Sequence, residues 1–95
     1  MPTDYSKAKI YKIIDYTTDN IYIGSTCEPS LARRLANHNV HYRAYLKGKY
    51  PYVSSFKILE NNNYDIQLVE AYACNSRDEL HAREGHYIKT LDLNK

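Results

Sequence analysis

The chain has 95 residues, 43% of them hydrophobic and 25% charged, with a formal net charge of +2. This is enough chain for one domain with a thin core, burying about 60–65% of its unfolded surface, and its composition is not that of a disordered segment. No uncharged run approaches the roughly 18 residues needed to cross a bilayer, and Met1-Pro2-Thr3-Asp4-Tyr5 carries no secretory signal.

Residues 9–16 are rich in strand formers, 17–20 form a turn cluster, and 21–24 make a second short strand. Together they predict a β-hairpin. With an even-length loop, opposed positions sum to an odd number, so Tyr11 and Tyr22 fall on one face. Lys12 faces the other way. Gly24-Ser25-Thr26 ends the second strand, and Pro29 or Ser30 opens a helix. Over 31–39, Leu31 and Leu35 mark its apolar side. Arg34 and His38 are four apart and point the same way, one turn above the other. Arg33 sits about 100° round the helix from Arg34. A further helical piece covers 40–46, ended by Gly48 and Pro51, and another short helix covers 53–59, anchored by Phe56 and Leu59.

Residues 61–63 form a turn, and 64–72 read as a strand with Ile66, Leu68 and Glu70 on one face. Ser76-Arg77-Asp78-Glu79 is a capping box that opens a final helix running to about Leu91. Its apolar stripe is Leu80, Tyr87, Ile88 and Leu91, and Glu84 falls inside it. A carboxylate there needs a partner, such as an arginine or a metal ion, unless it reaches solvent at a rim. His81 and His86 point to other faces.

Charge is unevenly distributed. Positions 29–59 hold no Asp or Glu, but they carry Arg33, Arg34, Arg43, Lys47, Lys49 and Lys57, with His38, His41 and four tyrosines interleaved. From Glu60 to Lys95 there are seven acids against four Lys or Arg. A basic, aromatic central third suits a phosphate backbone, with a solvated helix surface as the alternative. Eleven Tyr against one Phe and no Trp indicates rings buried with their hydroxyls at polar surroundings. Cys27 and Cys74 are too few for a disulfide framework, and Cys27, His38, His41 and Cys74 match no usual zinc spacing. Reduced thiols in an intracellular, non-secreted protein are expected, in a compartment the residues do not specify.

Ile10-Tyr11, then Tyr22-Ile23-Gly24 with ten residues between the tyrosines, resembles the GIY-YIG nuclease family. The downstream order agrees: Ser25-Thr26, Arg34-x-x-x-His38, Phe56-x-Ile58-Leu59, and Glu84-Gly85-His86-Tyr87-Ile88. The resemblance spans about residues 8–92 of a chain read as one domain, 1–95. Lys9 stands where the family has its first glycine. Asn94 is the candidate for an Asn that follows the last helix in the family.

The resemblance implies an α/β fold in β-β-α-α-β-α order, a small three-stranded antiparallel sheet flanked by helices. It implies a divalent-metal-dependent DNA endonuclease with Tyr11, Tyr22, Arg34, His38 and Glu84 as catalytic residues. Tyr11, on the first strand, is then the proposed general base, although the residues do not decide between the two tyrosines and a phenol of pKa about 10 needs neighbours such as Lys12, Arg34, His38 or the metal to favour phenolate. Tyr22 would orient the phosphate or assist proton transfer. His38 would relay a proton or contact phosphate. Arg34 would stabilise the transition state, and Glu84 would hold one Mg²⁺, with Mn²⁺ as a substitute. Gly24, Ser25, Arg33, His41, Arg43, Lys47 and Lys49 are candidate DNA contacts. The expected partner is DNA, with no membrane and no obligate protein partner. The chain would act alone on structured DNA or as the catalytic domain of a longer protein. The alternatives are a non-catalytic nucleic-acid-binding module on the same fold and a tyrosine-rich protein-interaction domain.

Overall fold

The structure, a computed structural model, describes residues 4–53 and 55–91. A single 3-10 turn, Tyr5–Lys7, leads into β1 (Lys9–Asp15) and β2 (Ile21–Thr26). Then come α1 (Leu31–Leu46), α2 (Phe56–Leu59), β3 (Tyr64–Ala71) and α3 (Arg77–Leu91). The sheet is antiparallel in the order β2-β1-β3, so β2 and β3 are its edges. This is the expected β-β-α-α-β-α arrangement. None of the described helices is long and apolar enough to cross a membrane.

Period-two alternation along β1 splits the core into two layers. Ala8 and Ile10 pack with Ile23 of β2 and Leu80 of α3. Tyr11 and Ile13 point the other way, towards Ile58 of α2 and Leu31 and Leu35 of α1. The hairpin closes at Asp15, whose N–H donates to the Asn20 carbonyl at 2.8 Å, and Asp19 takes a positive φ of 61° in the loop. Its register pairs Tyr11 with Gly24 and Ile13 with Tyr22, so opposed positions sum to an odd number and the two tyrosines share a face.

The expected elements shift in four places, the first being that the short helix expected over 53–59 is confined to Phe56–Leu59. Residues 31–39 and 40–46 form one helix, because nothing between Asn39 and Val40 breaks it before Gly48 (φ 74°). Strand β2 continues through Ser25 to Thr26, which pairs with Lys9. Strand β3 carries a bulge, since Ile10 opposes Glu70 while Tyr11 opposes Leu68. The extra residue reverses the alternation. Ile66 therefore packs with the Tyr11 layer, while Val69 joins the α3 layer and Glu70 meets Arg83 of α3.

Local caps set the helix starts. Ser30 Oγ accepts the Arg33 N–H at 3.2 Å, and Ser76 Oγ accepts the Glu79 N–H at 3.2 Å. Glu79 reaches the Asn75 N–H at 3.4 Å, one residue before the reciprocal bond of an ideal box. The fully buried Asp15 carboxylate accepts from Thr17 N–H, Thr18 Oγ1 and Asn61 Nδ2, tying the hairpin to the turn before β3.

Candidate active site

Tyr11 lies at the centre of the site and is fully buried. Its hydroxyl accepts a hydrogen bond from Arg34 Nε at 3.1 Å and sits 2.7 Å from His38 Nε2. The four-residue spacing along α1 delivers both groups to the same phenol. On the far side of the imidazole, Ser55 Oγ lies 3.1 Å from His38 Nδ1. Tyr22 completes the cluster, its ring centroid 6.4 Å from Tyr11 and 5.6 Å from His38.

Gly24 makes this packing possible. A Cβ there would stand 2.6 Å from Tyr11 Cζ and 2.9 Å from Tyr22 Cε1, distances no side chain tolerates. The glycine is buried beneath two rings.

Glu84 approaches from the opposite layer. Ser25 Oγ donates to its Oε1 at 2.7 Å, so the partner demanded by its place in the apolar stripe is a hydroxyl on β2. Ser25 opposes Ile10 in the hairpin, so it and Glu84 meet on the α3 face of edge strand β2. The Glu84 charge reaches both phenols and pushes their pKa values up.

Electrostatics leave the resting cluster uncharged apart from Arg34 and Glu84. Burial pushes the Tyr11 phenol well above its usual range, against the opposing pull of the Arg34 charge and hydrogen bond. Tyr22 is raised for the same first reason, with Glu84 adding to it. Lys12 is not among the charges that act on Tyr11, and the neighbours do not make a phenolate here. Burial, helped by the Arg34 and His41 charges, pushes His38 down to about 4. The imidazole is therefore neutral at neutral pH.

Glu84 suits one hard cation. Ser25 engages Oε1, and Oε2 has no hydrogen-bond partner among the described residues. No cluster of three or more His, Cys, Asp or Glu side chains stands ready to cage an ion among those residues. A single-carboxylate site of this kind leaves positions for water and phosphate oxygens, as Mg²⁺ favours.

The remaining candidates lie outward. Arg33, Arg43, Lys47 and Lys49 are exposed. Val40, Arg43, Ala44, Lys47 and Lys49 line a shallow cavity at the C-terminal end of α1. His41 stacks on Tyr50 at 4.5 Å with the rings 4° from parallel. His81 and His86 are exposed, and Asn94 lies outside the described residues. A cleft of about 410 Å³ opens beside Arg34, lined by Thr26, Cys27, Glu28, Arg77 and Leu80 among others. Ser55 is the one member of the hydrogen-bonded cluster that the sequence did not announce. It belongs to no motif, and its only local signal is a serine immediately before a buried apolar helix.

The family model of the GIY-YIG catalytic domain matches residues 7–95. The chain belongs to the GIY-YIG family. It is an endonuclease domain with the family's three-stranded antiparallel sheet and flanking helices. Among solved structures, the catalytic domain of the homing endonuclease I-TevI superposes with a TM-score of 0.64 at 20% identity, covering 90% of this chain and 89% of that one. A Glu-to-Ala mutant of the same intron endonuclease domain gives 0.65 at 20% identity, covering 90% and 84%. No curated protein matches the sequence significantly.

Proposed function

We propose that this GIY-YIG domain hydrolyses DNA phosphodiesters with a divalent cation, Mg²⁺ or Mn²⁺, held by Glu84. The observation that carries the reading is the unbroken chain Arg34–Tyr11–His38, with Glu84 electrically coupled to the same phenols. A tyrosine packed merely for area has no use for an arginine and a histidine on one buried hydroxyl.

Arg34 can only donate, so the Tyr11 oxygen accepts from it, and its own hydrogen is free to turn towards Nε2 of a His38 protonated at Nδ1. The phenol cannot serve as a standing phenolate, because burial holds its proton on. It can accept a proton from an attacking water at Oη while passing its own to Nε2. The water oxygen then bonds to phosphorus as the P–O3′ bond breaks, and the departing O3′ takes a proton from solvent, giving 5′-phosphate and 3′-hydroxyl ends. His38 must become more basic for this transfer. A substrate phosphate paired with Arg34 offsets the guanidinium charge that depresses His38 and favours the imidazolium. Arg34 then spreads its donors over the phosphoryl oxygens as charge accumulates there. The cation, when bound, supplies charge neutralisation at the phosphoryl group and the leaving oxygen. Tyr22, half-buried beside Tyr11 on the same sheet face, orients the phosphate.

Outside this cluster, Arg33, Arg43, Lys47 and Lys49 hold the DNA backbone, with His41 beside them. Cys27 and Cys74 are both free thiols, which suits a reducing, intracellular compartment.

The test is cleavage of plasmid, branched and flapped DNA with Mg²⁺, Mn²⁺ or EDTA. Glu84→Gln should lower metal-dependent cleavage by 100-fold or more (on the order of the ~10²–10³ that follows removal of a key transition-state donor) and leave the melting temperature nearly unchanged. Wild-type rates in that variant remove the metal assignment. DNA binding without cutting in any metal supports a binding module instead.

A further inference from the structure

We infer that Ser55 is a positioning residue for His38: its hydroxyl accepts the Nδ1–H and so presents Nε2 to Tyr11 as an unprotonated acceptor. The inference rests on the nuclease reading for its kinetic consequence, although its structural half stands alone.

Three observations carry it. Ser55 is fully buried and stands at Nδ1, across the His38 ring from the Tyr11 hydroxyl. Ser55 Oγ has the His38 ring as its side-chain partner, Oγ to Nδ1 being 3.1 Å. Its backbone is fixed, because the Ser55 carbonyl accepts from Ile58 N–H at 3.0 Å and Leu59 N–H at 3.1 Å, and Phe56, Ile58 and Leu59 are all buried. The hydroxyl therefore stands on a rigid base beneath α1 and holds the imidazole from the side opposite Tyr11.

The distances fit one direction of both bonds. The Tyr11–Nε2 separation is 2.7 Å, which suits a hydroxyl donor, whereas 3.1 Å to Ser55 suits an N–H donor. A phenol is also the more acidic hydroxyl, and the Arg34 N–H on its oxygen polarises it further. Tyr11 therefore donates to Nε2, and Nδ1 carries the ring proton towards Ser55. The opposite tautomer puts a hydrogen on Nε2 and closes the route for the Tyr11 proton.

The experiment reads the ring nitrogens of His38 in ¹⁵N-labelled protein near neutral pH, in wild type and in Ser55→Ala. The expected wild-type spectrum is the Nδ1–H tautomer. Ser55→Ala should give a mixture or the Nε2–H form. Single-turnover cleavage should then fall by about 10–100-fold, the scale seen when a group that orients a functional histidine is removed, with KM unchanged. On a His38→Ala background the same substitution should cost nothing further, since Ser55 acts through the ring.

A wild-type ring protonated at Nε2 overturns the inference. So does a Ser55→Ala variant that keeps both the tautomer and the rate, which is what a space-filling serine predicts. If Ser55→Ala does not fold, Ser55→Cys keeps the volume while weakening the acceptor, and the same two readouts apply. If wild type cuts no DNA, the nuclease reading fails while the ring spectrum still decides the role of Ser55.

Discussion

Gly24 and Tyr11 occupy opposed positions in the hairpin, and the phenol lies where a Cβ of residue 24 would be. Gly24→Ala must displace both rings, and with them the hydroxyl that Arg34 and His38 share. The expected cost is about 1–3 kcal/mol of stability, as for overpacking elsewhere in a core, and cleavage should fall by more than that loss of stability explains. Urea unfolding beside single-turnover cleavage checks it. The pKa directions give a second expectation. A histidine that must be neutral, and is held near 4 in the free enzyme, places the acid limb of kcat/KM near pH 4 and not near 6.5. Substrate phosphate raises His38, so the limb of kcat should lie at higher pH. A pH–rate series in which both limbs sit near the unperturbed histidine value contradicts the buried neutral imidazole.

At the scale of elements, the bulge in β3 decides how α3 is held. It turns Glu70 to the α3 side, where Arg83 donates Nε to Oε1 at 2.6 Å and Nη2 to Oε2 at 3.0 Å. Arg83 also lies over the Tyr87 ring at 5.0 Å and the Tyr72 ring at 5.6 Å. The pair is partly exposed, which keeps its worth modest, but a planar fork gripping a carboxylate between two rings is not replaceable by an ammonium. Arg83→Lys should therefore lower the thermal unfolding temperature measurably. Because α3 carries Glu84, the same variant should also weaken cleavage modestly. A loss of stability with wholly unchanged cleavage separates the anchoring of α3 from the placement of Glu84.

Across the whole molecule, Arg43, Lys47 and Lys49 are exposed at one shallow cavity at the C-terminal end of α1. Charges so placed bind a phosphate backbone by releasing counterions, without reading bases. Replacing all three by Ala should weaken DNA binding uniformly across sequences. It should also reduce the slope of log K against log salt by about 2–3, near 0.9 for each phosphate left without its cation. Fluorescence anisotropy at several salt concentrations measures it. An unchanged slope sends the DNA along another face of the molecule, such as the cleft beside Arg34.

Much of the site was legible in residue order because its parts are local. Alternation along a strand puts Tyr11 and Tyr22 on one face for any loop of even length, and the observed loop keeps that parity. A helical turn aligns Arg34 with His38, and capping serines open α1 and α3 where the sequence marks them. Such features depend on backbone geometry over a few residues, which side-chain type alone can dictate. Three things needed the assembled fold. The bulge opposite Ile10 reversed the faces of β3, a register choice settled by pairing with β1. Ser55 reached His38 across 17 residues of sequence. Glu84 met Ser25 across 59 residues of sequence, on the α3 face of edge strand β2. The protonation of the cluster also belongs to this level, since burial outweighs neighbouring charge at Tyr11 and leads the causes at His38. Desolvation depends on everything packed around a group, and no local run of residues specifies that.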